Sequence, residues 1–136
     1  MCRWQLLLLV ALSLSAGCSR RGDDEPLLVG HVAPFSGTER EIGEHARRGM
    51  RLALERANEE RIGGRRVAVV HADSRGDADL ARHETVRLAT VNKVLAVLGG
   101  EPGTVERVAA AVQPYALPLL TPDSDPQRST YSGRTA

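Results

Sequence analysis

Four short aliphatic runs, separated by segments of helical spacing, constrain this chain more than any other feature. The runs are Leu27-Leu28-Val29-Gly30-His31-Val32, Arg66-Val67-Ala68-Val69-Val70-His71, Val94-Leu95-Ala96-Val97-Leu98 and Pro118-Leu119-Leu120. Each is short, apolar and bounded by Gly or Pro, which predicts strands buried on both faces. After the first run, Thr38-Glu39-Arg40-Glu41 has the capping-box pattern, so Thr38 and Glu41 are expected to open a helix. Ile42, Ala46, Gly49, Met50, Ala53, Leu54 and Ala57 then recur at steps of three and four, predicting one buried stripe, and Gly63-Gly64 supplies the stop. Asp77 is placed to cap a second helix carrying Ala78, Ala81, Thr85, Leu88 and Val91 on one side. A third, over 104–115, presents Val105, Val108, Ala109 and Val112. Strands alternating with helices imply right-handed βαβ units, hence an α/β fold with a doubly wound parallel sheet. Ligands of such sheets bind beyond the carboxyl ends of the strands, here loops 33–38, 72–77, 99–104 and 121–126.

The first residues are of a different kind. Arg3 is the sole charge before Arg20, residues 6–14 are almost wholly apolar, and Ser15-Ala16-Gly17-Cys18 follows. This is the pattern of a secretory leader, shorter than the roughly 20 apolar residues of a membrane-spanning helix. The small residues directly before a cysteine resemble a lipoprotein signal, which implies cleavage before Cys18 and lipidation of its sulfur. Ordinary cleavage, releasing a free product, is the alternative. The expected organisation is a lipoprotein signal peptide at 1–17, a polar tether at 18–26 and a binding domain at 27–136. Cys2 leaves with the leader, so a chain beginning at Cys18 has no second thiol and forms no internal disulfide.

Several function classes are disfavoured. The formal charge is +1, with acids interspersed among the arginines, so no nucleic-acid-binding face is implied. The first strand–helix loop lacks dinucleotide glycine spacing, and no Gly-Lys-Ser/Thr phosphate loop is present. Gly99-Gly100-Glu101-Pro102-Gly103-Thr104 opens a helix where free amides hold anions in other proteins, but three glycines are a weak signal and a tight turn capped by Thr104 is the simpler reading. His31, His45, His71 and His83 show no metal-ligand spacing. Turn formation and capping account for Asp73 and Asp77 without catalysis. A phosphoacceptor role for Asp73 would need an acidic pair after the first strand, where Ala33-Pro34 stands. No Ser–His–Asp set sits at a nucleophile elbow. The expectation is a protein without catalysis, cofactor or metal.

Taken in order, the loops resemble a known family. Val29-Gly30-His31-Val32-Ala33-Pro34-Phe35-Ser36-Gly37, then Gly43, then Arg48-Gly49-Met50-Arg51-Leu52-Ala53, is similar to the opening of the branched-chain amino-acid-binding family, the type I periplasmic binding proteins of ABC importers. The resemblance continues through Ala57-Asn58, Gly63-Gly64, Ala72-Asp73-Ser74, Gly76-Asp77, Val97-Leu98-Gly99-Gly100 and Leu117-Pro118-Leu119-Leu120-Thr121-Pro122. It implies a partial N-terminal lobe of a two-lobed domain that closes on a small polar solute, amino-acid- or amide-like, and delivers it to an ABC permease. It also implies an extracytoplasmic location, lipid-anchored to a membrane through Cys18. Carried over by position, Ser36, Ile42, Gly103, Thr104, Asp123, Ser124 and Asp125 face the cleft.

The chain also departs from the family. An aromatic is usual where Ile42 stands, serines where Pro102 and Gly103 stand, and a small residue with Thr where Ser124 and Asp125 stand. Asp125 would favour a cation or hydroxyl donor over a carboxylate. Because the sequence stops at Ala136, the resemblance implies a truncated lobe. A competing expectation is a lipid-anchored envelope interaction domain that uses a half binding-protein fold without solute transport.

Overall fold

The computed structural model describes residues 25–122. Strand β1 (Leu27–Ala33) leads into helix α1 (Arg40–Glu60), strand β2 (Val67–Asp73), helix α2 (Ala78–Thr90), strand β3 (Ala96–Gly99), helix α3 (Val105–Val112), a 3-10 turn (Gln113–Tyr115) and strand β4 (Leu119–Leu120). The strands form one parallel sheet in the order β2-β1-β3-β4. The α/β doubly wound class expected from the aliphatic runs is therefore what forms. β1 and β2 each run further than expected, to Ala33 and Asp73, while Val94 and Leu95 precede β3.

Strand pairing sorts the side chains onto two faces, because successive residues alternate. Gly30 stands beside Val70 on one side and Val97 on the other, and Val97 beside Leu119. That face, with Leu28, Val32 and Ala72, packs on Ala81 and Leu88 of α2 and Val108 and Val112 of α3 to form the core. The opposite face carries Val29, His31 and Ala33 of β1 beside Val69, His71 and Asp73 of β2. It packs under α1. Right-handed crossovers require this split, since the connection from β1 to β2 runs one way along the sheet and the later connections run the other.

Helix α1 lies differently from the expected stripe. Gly43 is buried, and Met50, Leu54 and Ala57 are half-buried, whereas Ile42, Ala46, Gly49 and Ala53 are exposed. The cause is a close approach: a Cβ on Gly43 would collide with the carbonyl of Pro34, so glycine lets the helix settle on the chain leaving β1. The expected capping box is also absent. The helix starts at Arg40 with Glu39 as N-cap, and no side chain caps it. Asp77 does cap α2, accepting from the Leu80 amide at 2.7 Å. Val91, expected on the inner side of α2, lies exposed just beyond its end. Asn58 completes the edge strand: its amide donates to the Val67 carbonyl and its oxygen accepts the Val67 N–H.

Among the described residues, no helix is long and apolar enough to cross a membrane. The leader at 1–17, Cys18 and most of the 18–26 tether lie outside the described residues.

Candidate functional site

The strand order reverses its direction of winding between β1 and β3, and in open α/β sheets the crevice outside that point is where ligands bind. The loops that reach it are residues 34–39 after β1 and 100–104 after β3, with residues 74–77 after β2 alongside. Gly99 makes the turn out of β3 at φ 135°, and a side chain there would strike the carbonyl of Val32. β1 and β3 therefore leave the sheet in contact. Thr121 ties the fourth loop to the third, donating from its hydroxyl to the Gly100 carbonyl at 2.9 Å.

Asp73, at the end of β2, organises the first loop. Its Oδ1 accepts the amides of Phe35 (2.8 Å), Arg75 (2.9 Å) and Ser36 (3.3 Å), and its Oδ2 accepts the Ser36 hydroxyl at 2.6 Å. Burial acts to raise the Asp73 pKa, but the Ser36 hydroxyl and the three amides outweigh it and hold the carboxyl below its usual range. Ser36 is thus at the rim, half-buried, with its proton already engaged.

The third loop is folded on Glu101. The Glu101 carbonyl accepts the amides of Gly103 (2.8 Å), Thr104 (2.8 Å) and Val105 (3.0 Å). The Thr104 hydroxyl lies 3.0 Å from Glu101 Oε2 and 3.4 Å from its carbonyl. Thr104 is only 2% exposed and makes no side-chain cap to α3. Gly103 is exposed at the surface of the same turn. Amides expected to be open to an anion are therefore occupied within the turn. Burial raises the Glu101 pKa, opposed by its own backbone amide and by Thr104, with Glu39 adding to the rise.

Ile42 lies in the first turn and a half of α1, 54% exposed, close in sequence to Ser36 but not packed on the sheet. Asp123, Ser124 and Asp125 lie outside the described residues. The structure thus brings Ser36, Gly103 and Thr104 to one rim. Sequence reasoning did not single out Asp73 and Glu101 as the groups that organise the rim. The only signal in the sequence was their position two or three residues past an aliphatic run.

Below the rim, under α1, His31 and His71 face each other with Nδ1 atoms 2.9 Å apart. One ring must donate and the other accept, so at least one is neutral. Phe35 closes edge-on against both rings, and the Arg47 guanidinium lies 4.7 Å above the Phe35 ring. Burial, with His71 and Arg47 adding, brings the His31 pKa down to about 4. Burial and Arg47 also lower His71, against an opposing pull from Glu44. A small cavity of about 210 Å³ opens beside His71 between α1 and β2, away from the strand-end rim. Among the described residues, no cluster of three or more His, Cys, Asp or Glu is placed to hold a metal ion.

A parallel sheet with strand-end loops gathered at its switch point defines an open α/β domain, of the class whose ligands bind at that crevice. The chain belongs to the periplasmic binding protein family, whose model matches residues 26–135. Among solved structures it is similar to the branched-chain amino acid transporter substrate-binding protein LivJ from Streptococcus pneumoniae, in complex with isoleucine. That match has 27% identity and TM-score 0.69 over 73% of this chain and 29% of the other. An ABC transporter substrate-binding protein from Sphaerobacter thermophilus matches at 28% identity and TM-score 0.66, over 71% of this chain and 26% of that one. A solute-binding protein of an ABC transporter from R. palustris, in complex with benzoate, matches at 25% identity and TM-score 0.65, over 73% and 28%. The comparison with curated proteins finds no match. The chain spans about three-tenths of the length of the solved structures it matches.

Proposed function

We propose that this chain contributes one wall of the cleft of an extracytoplasmic solute-binding protein that captures a small polar solute for an ABC permease. The observation that carries this reading is the convergence of the 34–39 and 100–104 loops at the β1–β3 switch point of a family whose solved members include complexes with isoleucine and benzoate. Capture of this kind makes and breaks no bond. Selectivity comes from buried polar groups, because a solute that leaves one unmatched loses affinity. In this reading Ser36, Ile42, Gly103, Thr104, Asp123, Ser124 and Asp125 belong to the cleft, with Asp73 and Glu101 supporting the first and third loops. Residues 1–17 are a lipoprotein signal, 18–26 a tether and 27–136 part of the N-terminal lobe. Cys18 carries the lipid that anchors the domain. Cys18→Ser should abolish incorporation of labelled fatty acid, and unchanged labelling would refute the anchor.

The test of the cleft is residue-resolved. Binding to a single wall is expected near the millimolar range, about 4 kcal/mol of free energy. Titration of the ¹⁵N-labelled chain with a panel of amino acids, amines, amides and carboxylic acids should therefore shift amides in 34–39 and 100–104 saturably for at least one compound. A panel that shifts no amide in either loop would end the solute-binding reading.

A further inference from the structure

The Ser36 hydroxyl has one proton, and Asp73 Oδ2 holds it at 2.6 Å. Among the described residues no donor reaches the Ser36 oxygen, so its lone pairs are what the rim presents. In the facing turn, four donors are already taken. The Thr104 hydroxyl and the amides of Gly103, Thr104 and Val105 are all engaged by Glu101. At Ser36 Oγ a carboxylate meets an acceptor with the Asp73 charge behind it. A group bearing N–H or O–H finds a partner.

We propose that the switch-point wall accepts a hydrogen-bond donor from the solute, an ammonium, amide or hydroxyl, through Ser36 Oγ, and that Asp73 sets this polarity by holding the Ser36 proton. The inference rests on the cleft reading above and adds to it the chemistry of the group recognised. Asp73 acts here as a positioning residue. Its two oxygens divide the work: Oδ1 fixes the loop through three amides, and Oδ2 orients the hydroxyl. Asp73→Asn separates the two functions. The asparagine oxygen keeps the Oδ1 contacts, while its NH₂ donates to Ser36 Oγ and turns the serine proton outward.

The probes are butylammonium and benzoate, titrated at matched concentrations into the ¹⁵N-labelled chain. In the unaltered chain butylammonium should shift the Ser36 amide and its neighbours more strongly than benzoate. In Asp73→Asn the preference should invert, with each apparent affinity moving about five- to tenfold, the effect of one hydrogen bond. Ser36→Ala should erase the preference in both backgrounds. Persistent slow hydrogen exchange of the Phe35 and Arg75 amides in Asp73→Asn shows that the loop itself is intact. If that variant does not fold, Ser36→Ala alone decides: loss of the butylammonium response with benzoate unaffected supports the proposal, and an unchanged butylammonium response overturns it.

Benzoate preference in the unaltered chain, with shifts confined to the switch-point loops, overturns the polarity while leaving the cleft in place. Equal weakening of both probes by Asp73→Asn reduces Asp73 to a structural residue and overturns its proposed role. No shift in these loops with either probe overturns the inference, and the wider panel above then decides whether the cleft falls with it.

Discussion

Acidification should loosen this fold well above the pH at which carboxylates protonate, and His31 is the reason. The side chain is 3% exposed and its Nδ1 lies 2.9 Å from that of His71, under α1. Its pKa falls from 6.5 to about 4 on folding. Between those values the unfolded chain binds a proton that the folded chain does not, so stability rises with pH across this window. The contribution is complete above pH 6.5 and is lost progressively as pH falls towards 4. At 1.36 kcal/mol per pKa unit the difference amounts to about 3 kcal/mol, a large share of the ~5–15 kcal/mol that holds a typical domain. With a urea dependence of roughly 1–3 kcal/mol per molar, the unfolding midpoint should drop by about 1–3 M between pH 7 and pH 4. His71 is lowered too and adds in the same direction. The Asp73 carboxyl, held below its usual range, contributes only at still lower pH.

The assay is urea unfolding followed by circular dichroism at several pH values from 4 to 7.5, for the chain and for His31→Asn. Asparagine keeps a hydrogen-bonding group near the Nδ1 position and does not titrate. The variant should be less stable at pH 7 but much flatter with pH. Parallel pH profiles for the two proteins would refute the assignment of this window to His31.

Two further outcomes follow from packing and capping. Leu88 is fully buried against β1, so Leu88→Ala should cost about 2–5 kcal/mol, whereas Leu52→Ala, at a site 65% exposed, should stay within about 0.5 kcal/mol. Both are read by urea unfolding at pH 7, and a similar cost at the two sites would contradict the assignment of faces. Asp77→Ala should cost about 1 kcal/mol through loss of the α2 cap, while Thr38→Ala should be close to neutral because no side chain caps α1. A larger loss at Thr38 than at Asp77 would restore the capping box expected from the sequence.

The sheet was legible because its information is local. An aliphatic run between a helix stop and a Gly or Pro marks a strand whatever lies around it, and the alternation of such runs with helical spacing implies parallel pairing. The orientation of α1 was not legible. The expected stripe of Ile42, Ala46, Gly49, Met50, Ala53, Leu54 and Ala57 is broad, and only Met50, Leu54 and Ala57, together with Gly43, turn inward. The contact of Gly43 with Pro34 sets that rotation. The rim was half legible. The positions of Ser36, Gly103 and Thr104 at strand ends followed from topology. The burial of Thr104 and the engagement of the Ser36 proton did not, because they depend on how a turn closes and on a partner 37 residues away. The His31–His71 pair was hidden for the same reason, since strand register rather than sequence spacing makes them neighbours.

Every crossover in this sheet returns to the amino end of the strands before the next one begins. The turn at Gly63 and Gly64, the link through Asn92 and Lys93, and the corner at Ala116 therefore lie together on the end opposite the rim. The described sheet has a rim end and a joining end, with the length of the strands between them. Changes in loop length or added chemical labels at the joining end leave the polar geometry around Ser36 untouched, and that is where the domain has room to diversify.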